Sequence, residues 1–461
     1  MKNDEQMYRQ SELEAWDKRY LWHPFTQMRD YCNESPLIIE RGEGSFLFDI
    51  SGNRYLDGVS SLWVNLHGHR REEIDRAIIS QVQRISHSTL LGISSVPAIL
   101  LAKKMADIAP PGLSRIFYSD DGSTAVEIAL KIAFQYWQQK NPPRKRKHKF
   151  ISLDYAYHGD TLGAVSVGGI DTFHQLYKPL LFSTFRIPSP SCYRCSLDRS
   201  YPSCGLECIN RAEEVIRQHH EEAAALIIEP LVQGAAGMIV APPGYLKAIR
   251  RLCTAYDLLL IADEVAVGFG RTGTMFACEQ EGVAPDLLCV AKGITGGYLP
   301  LAATLATEEI YNAFLGEHWE LKTFFHGHSY TGNPLACSAA LASLSIFESD
   351  RTLETLQPKI AFLREKLQRF SALSHVGEVR QKGFMAGIEL VADRESKKPF
   401  PPEKKTGIRV IREARKRGLI IRPLGDVIVI MPPLSIAVEH LEALLTIVFD
   451  SIERVTTSER G

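Results

Sequence analysis

Residues 258–264 read Leu258-Leu259-Leu260-Ile261-Ala262-Asp263-Glu264, and residues 287–293 read Leu287-Leu288-Cys289-Val290-Ala291-Lys292-Gly293. Both are short apolar runs that break off in charge. Runs of this length, so abruptly bounded, read as strands buried on both faces of a sheet. In an open α/β sheet ligands lie beyond the carboxyl ends of the strands, which puts Asp263 and Lys292 where a ligand would lie. A lysine at the end of a buried strand is costly when ionised, and desolvation lowers its pKa toward the range of a nucleophile. Lys292 is therefore the candidate nucleophile.

Outward from these two runs, apolar stretches at 115–118, 150–153 and 224–228 alternate with helical patterns at 72–86, 96–108, 124–139, 209–219 and 244–256. This alternation predicts a mainly parallel sheet covered by helices, an α/β fold. Before it, 37–40, 45–49 and 51–55 read as short strands around Gly-containing turns, a small antiparallel element. After Asn333-Pro334, a helix at 335–348 leads into more strand–helix alternation and an amphipathic stretch at 438–454. We expect a large domain over residues 72–334 and a smaller α+β domain assembled from 1–71 and 335–461.

The chain has 461 residues, 45% hydrophobic and 23% charged, which suits two folded domains and excludes a disordered or disulfide-stapled miniature protein. Fifty-three basic against fifty-four acidic side chains leave a net charge of −1, so no overall field favours nucleic acid or an anionic membrane. Small-molecule partners are expected. The first twenty residues lack an apolar signal core and a transit pattern, no run approaches the roughly 20 apolar residues of a spanning helix, and an odd count of nine cysteines fits a reducing cytoplasm.

A third segment bears on chemistry. Arg115-Ile116-Phe117-Tyr118-Ser119 predicts a strand, Asp120-Asp121-Gly122-Ser123-Thr124 a turn, and Ala125 onward a helix. Gly122 admits close backbone approach, Ser123 offers a hydroxyl, and the helix start supplies free N–H groups, which together make a phosphate cradle. An ordinary capped helix explains Ser123 equally well when the segment is taken alone. A phosphate cradle, a strand-end Asp and a strand-end Lys in one sheet specify a phosphate-bearing aldehyde with a ring nitrogen, which describes pyridoxal 5′-phosphate.

On these residues, with Tyr157-His158-Gly159, Ile228-Glu229-Pro230 and Gly268-Phe269-Gly270-Arg271-Thr272-Gly273, the chain resembles the class III branch of fold-type I pyridoxal-phosphate aminotransferases over nearly its whole length. Within that branch it is most similar to the transaminases that act on 8-amino-7-oxononanoate in biotin synthesis. The similarity is carried by residues 21–28, Tyr157-His158-Gly159-Asp160-Thr161, residues 325–334, and Ile421-Arg422-Pro423-Leu424-Gly425. The resemblance implies that Lys292 carries the cofactor and moves the proton, that Asp263 pairs with the ring nitrogen, and that Tyr157 stacks on the ring. It implies further that Gly122 and Ser123 hold the phosphate, with His328 and Ser329 completing that site from a second subunit of a homodimer. Arg422 is implied as the clamp for the substrate carboxylate, and Phe25, Leu62, Trp63, Asp160 and Gly327 as substrate-cavity residues.

Members that use S-adenosylmethionine as amino donor carry paired tryptophans where this chain has Leu62-Trp63, and a tyrosine where it has Phe25. S-adenosylmethionine remains the expected donor, with lysine as the alternative. Rival readings are another class III ω-amino acid transaminase using pyruvate or 2-oxoglutarate, and a non-catalytic, zinc-stapled binding protein. Cys192, Cys195, Cys204 and Cys208 raise the zinc idea, but their second and third spacings match no standard ribbon and no metal site is assigned. His67 and His69 lack a ligand partner at suitable spacing and read as structural or cavity-lining.

Overall fold

The computed structural model describes residues 9–457; the ends of the expected 1–71 and 335–461 segments, residues 1–8 and 458–461, lie outside the described residues. After two short helices, Gln10–Tyr20 and Met28–Cys32, comes an antiparallel meander, β1 (Ile39–Glu43), β2 (Phe46–Asp49) and β3 (Arg54–Asp57). Next come the strands of the main sheet: β4 (Leu113–Ser119), β5 (Lys149–Leu153), β6 (Phe185–Ile187) and β7 (Ala223–Ile228). A small hairpin, β8 (Val232–Gln233) with β9 (Ile239–Val240), precedes β10 (Leu259–Asp263), β11 (Leu287–Val290) and β12 (Ala302–Thr307). The C-terminal part adds β13 (Val376–Lys382), β14 (Met385–Leu390), β15 (Leu419–Ile420), β16 (Arg422–Leu424) and β17 (Val427–Ile430).

The main sheet has the order β4-β12-β11-β10-β7-β5-β6, and every pairing is parallel except those of β12, which runs against both neighbours. All residues of β7, β10 and β11 are buried, as expected for apolar runs covered on both faces. Helix Gly122–Gln139 covers one face with Ala125, Ile128, Ala129, Ile132 and Trp137, and the Trp137 indole N–H donates to the Ala224 carbonyl at 2.8 Å. Cutting such a buried aromatic to alanine costs about 3–5 kcal/mol.

The chain's two ends meet. β15 pairs in parallel with β3, so a C-terminal strand completes the N-terminal meander, while β13, β14, β17 and β16 form a separate antiparallel sheet. Arg271 ties these parts to the main sheet. It is 1% exposed and donates to the carbonyls of Asn65 and Pro432, at 2.9 and 2.6 Å. A guanidinium suits this place because its fork reaches two carbonyls at once.

Several boundaries move from their expected places. β10 ends on Asp263 rather than before it, the first strand begins at Ile39, and the long helix begins at Gly122 rather than Ala125. The helix start has a clear cause. Asp121 is its N-cap, accepting the Thr124 N–H at 3.0 Å, while the Thr124 hydroxyl accepts the Asp121 N–H at 3.1 Å. That reciprocal capping box stabilises the turn as helix.

Candidate active site

β10 and β11 are adjacent and parallel, so their carboxyl ends deliver Asp263 and Lys292 to one cleft of about 460 Å³, which also exposes Trp63, Gly122, Ser123, Tyr157 and Glu229. Lys292 adopts φ +46°, a left-handed conformation that costs a non-glycine residue about 1–2 kcal/mol. Its side chain lines the cleft, where Nζ lies 5.6 Å from the Trp63 ring centroid. Burial lowers the Lys292 pKa, while Asp263, Glu229 and Asp160 pull it back up. The amine thus sits among three carboxylates, yet among the described residues it forms no hydrogen bond or ion pair.

Both oxygens of Asp263 are engaged: Oδ2 lies 2.7 Å from His158 Nδ1, and Oδ1 accepts the Val265 N–H at 3.0 Å. Glu229, just beyond β7, accepts the N–H groups of Tyr157 and Gly234 at 3.1 and 2.9 Å. Burial pushes its carboxyl up to about 7, Asp263 adding to the rise and His158 opposing it. The Tyr157 hydroxyl donates to Asp160 at 2.7 Å, and burial first, then that bond, raises the phenol's pKa.

Because Asp121 caps the helix, Ser123 is free for other work. The N–H groups of Gly122 and Ser123 have no intrahelical acceptor, as at any helix start, and the Ser123 hydroxyl accepts the Asp160 N–H at 3.1 Å. A Cβ on Gly122 would stand 2.5 Å from Val265 Cγ1, and one on Gly159 would stand 2.1 Å from Ser123 Oγ. Backbone donors, a hydroxyl and glycine-limited walls fit a phosphate group. With a reactive amine and a fixed carboxylate in the same cleft, the residues present fit pyridoxal 5′-phosphate.

The structure does not bring every expected residue to this cleft. Leu62 is exposed beside buried Trp63, because residues 60–63 turn through positive φ at Ser60, Ser61 and Trp63. Asp160 supports Tyr157 and Ser123 without lining the cleft. Phe25 and Arg422 form an outer layer. The Arg422 guanidinium lies 6.0 Å from the Phe25 ring centroid; Phe25 meets Phe173 edge-on at 5.4 Å, and Phe173 meets Tyr157 at 6.2 Å. Burial lowers the Arg422 pKa.

Gly327, His328 and Ser329 also lie off the cleft of their own chain. Gly327 is exposed, with nothing within 4 Å of where a Cβ would sit. His328 Nδ1 contacts Asp120 Oδ2 at 2.7 Å, and the Ser329 carbonyl contacts His87 Nε2 at 2.7 Å.

Sequence reasoning gave no role to Glu229 or His158. An apolar run ending in Glu229 is the same pattern that marks Asp263 and was there to be read; His158 had no comparable signal, because its partner is 105 positions away.

His67 and His69 are structural: His67 Nε2 contacts Ser343 Oγ at 2.9 Å and His69 Nε2 contacts Asp57 Oδ2 at 3.0 Å. All nine cysteines are free thiols, and Cys192, Cys195, Cys204 and Cys208 line one small cavity of about 20 Å³. Among the described residues, no group of three or more His, Cys, Asp or Glu is placed to hold a metal ion, and no helix is long and apolar enough to cross a membrane.

Comparison with known proteins agrees with this geometry. Residues 28–452 match the family described as aminotransferase class-III. The chain is 56% identical over 445 residues to the adenosylmethionine-8-amino-7-oxononanoate aminotransferase of Geobacter sulfurreducens, covering 96% of this chain and 98% of that one. The crystal structure of the aminotransferase of the same name from Methanocaldococcus jannaschii matches with a TM-score of 0.92 at 50% identity, over 97% of this chain and 99% of that one. An (S)-enantioselective ω-transaminase from Thermomicrobium roseum matches with a TM-score of 0.91 at 36% identity, over 98% and 99% of the two chains. The extent of these matches sets aside a non-catalytic binding protein: this chain belongs to the class III aminotransferases, enzymes that work with pyridoxal 5′-phosphate.

Proposed function

We propose that this aminotransferase transfers an amino group to 8-amino-7-oxononanoate, giving 7,8-diaminononanoate in biotin synthesis, with S-adenosylmethionine as donor. The observation that carries the substrate reading is Arg422. It is half-buried in the outer layer of the cleft and bonds to no carboxylate among the described residues, so its planar fork is available to a substrate carboxylate. The names of the relatives support the same substrate and donor.

Pyridoxal 5′-phosphate supplies the aldehyde that carries the amino group and a ring that takes up electrons. The chain's residues do the rest. Gly122 and Ser123 would hold the phosphate, Tyr157 would stack on the ring, Asp263 would pair with the ring nitrogen, and Trp63 would line the space left for substrate. Lys292 would hold the cofactor and, once a substrate amine freed it, its Nζ would take and return the proton of the carbon that bears the amino group. Its burial-lowered pKa makes the free amine available for that exchange.

His328 and Ser329 complete the phosphate site of a second copy in a homodimer. Support comes from residues 325–330, which lie off the cleft of their own chain and expose Phe325 and Tyr330. The pairing of β15 with β3 supports a small domain assembled from both ends of the chain, which we place at residues 1–71 and 335–461, and a cytoplasmic location suits a biosynthetic enzyme with free thiols. Phe25 and Leu62, standing where the S-adenosylmethionine-using members carry Tyr and Trp, favour lysine as a second reading of the donor.

Incubation with 8-amino-7-oxononanoate and each donor in turn, with mass spectrometry of the product, tests the proposal. Formation of 7,8-diaminononanoate with S-adenosylmethionine is expected. Formation with lysine alone would replace the donor, and activity confined to other ω-amino acids with pyruvate or 2-oxoglutarate would overturn the substrate.

A further inference from the structure

We propose that Asp120 is a positioning residue that acts across the subunit boundary: by holding His328 it sets the loop with which each chain completes the phosphate site of the other. The inference rests on the homodimer and shared phosphate site proposed above. Asp120 opens the turn from β4 to the helix that begins at Gly122, and it lines the cleft of its own chain. A carboxylate beside a bound phosphate is repelled by it, so contact with the cofactor does not account for this residue. Its Oδ2 instead lies 2.7 Å from His328 Nδ1, across 208 positions of sequence. A carboxylate only accepts, so Nδ1 is the protonated nitrogen.

Other bonds hold the same loop. Residues 321–328 belong to no helix or strand, and fixing such backbone costs about 1–2 kcal/mol per residue in entropy. The loop is nevertheless pinned at successive residues: the His328 N–H donates to Thr331 Oγ1 at 3.0 Å, His87 Nε2 donates to the Ser329 carbonyl at 2.7 Å, and the His87 and Tyr330 rings meet at 5.0 Å. Two groups stay uncommitted. The Ser329 hydroxyl makes no hydrogen bond among the described residues, and Gly327 has nothing within 4 Å of a Cβ position. The loop thus spends its other polar groups on its own chain and keeps a hydroxyl and open backbone for a second copy. The consequence is directional. Asp120 stands beside the cradle of its own chain, but the loop it holds serves the other, so its loss is felt in the opposite subunit.

The test uses hybrid dimers of two differently tagged full chains, one of them Lys292→Ala, so that only the other chain can join the cofactor to lysine. Each hybrid is stripped of cofactor and retitrated with pyridoxal 5′-phosphate, and the absorbance of lysine-bound cofactor reports that one site. With Asp120→Ala on the Lys292→Ala chain, the half-saturating cofactor concentration is expected to rise about tenfold, as for a lost hydrogen bond to a charged group. With Asp120→Ala on the chain that keeps Lys292, it is expected to match the hybrid without the change. Asp120→Asn, isosteric and still an acceptor but uncharged, is expected to give the same one-sided loss at about threefold, and it decides the question if the alanine chain does not assemble. Weakening confined to the chain that carries the Asp120 change, equal weakening in both arrangements, or no weakening in either would overturn the inference. If Ser329→Ala on the Lys292→Ala chain leaves the titration unchanged, or the purified chain is monomeric, the reading of a shared phosphate site fails, and the inference with it.

Discussion

Asp263 and Glu264 are neighbours at the end of β10, and the fold uses them for opposite ends. Asp263 turns to the cleft, where it meets His158 and shares its surroundings with Lys292 and Glu229. Glu264 turns inward, fully buried, and accepts the N–H groups of Ala277 and Cys278 at 2.6 and 2.8 Å. Behind it Arg271 grips Asn65 and Pro432. In the inner region buried charges spend their bonds on backbone and hold segments together. In the cleft the lysine has no bonded partner among the described residues, and a buried charge left that way is costly unless a ligand uses it. The first kind of burial makes a joint, the second makes a site.

Four measurements break or sharpen that contrast. Lys292→Ala is expected to lower turnover at least about a thousandfold while the protein keeps its fold and still binds cofactor, read by steady-state assay and cofactor absorbance. Appreciable turnover would show that the unbonded amine is not the reacting one. Arg271→Met is the inner counterpart: a loss of about 3 kcal/mol in denaturant unfolding is expected from two stranded carbonyls, with kcat of the folded fraction nearly unchanged. A large drop in kcat at unchanged stability would merge the two regions.

The pH dependence separates them further. Burial pushes both Glu229 and Glu264 from 4.5 up to about 7. Between those values the folded chain holds protons at these two groups that the unfolded chain has released, so their contribution to stability is full below about pH 4.5 and falls as pH rises toward about 7. In cofactor-free protein, Glu229→Gln is expected to remove only the cleft's share. Its stability relative to wild type should rise by about 1–3 kcal/mol from pH ~5 to pH ~8, with the remaining decline owed to Glu264. A constant difference between the two proteins across that window would deny the shift at Glu229. The smallest effect is expected of Ser123→Ala, a loss of about tenfold in cofactor affinity by direct titration, the low end for one hydrogen bond to a charged group. No loss would return Ser123 to a purely structural role.

Much of this contrast was legible in the residues. The strand at 287–290 and the helix at 96–108 stand where the apolar pattern puts them, and Asp263 and Lys292 announce themselves as charges ending buried runs. β12 was not visible: Ala302-Ala303-Thr304-Leu305-Ala306-Thr307 is rich in alanine, a weak strand former, and becomes a strand by pairing with β4 and β11. His158 escaped notice as a participant because a contact spanning 105 positions leaves no local trace. For Gly327, His328 and Ser329, the resemblance names a shared phosphate site, while a single chain places them on its outside.

The most direct test of the account is chemical. Borohydride reduction of the purified holoenzyme fixes the cofactor to the lysine that carries it, and proteolysis with mass spectrometry locates the modified residue. The account predicts a single modified site at Lys292, absent from Lys292→Ala; a cofactor fixed to any other lysine would contradict it.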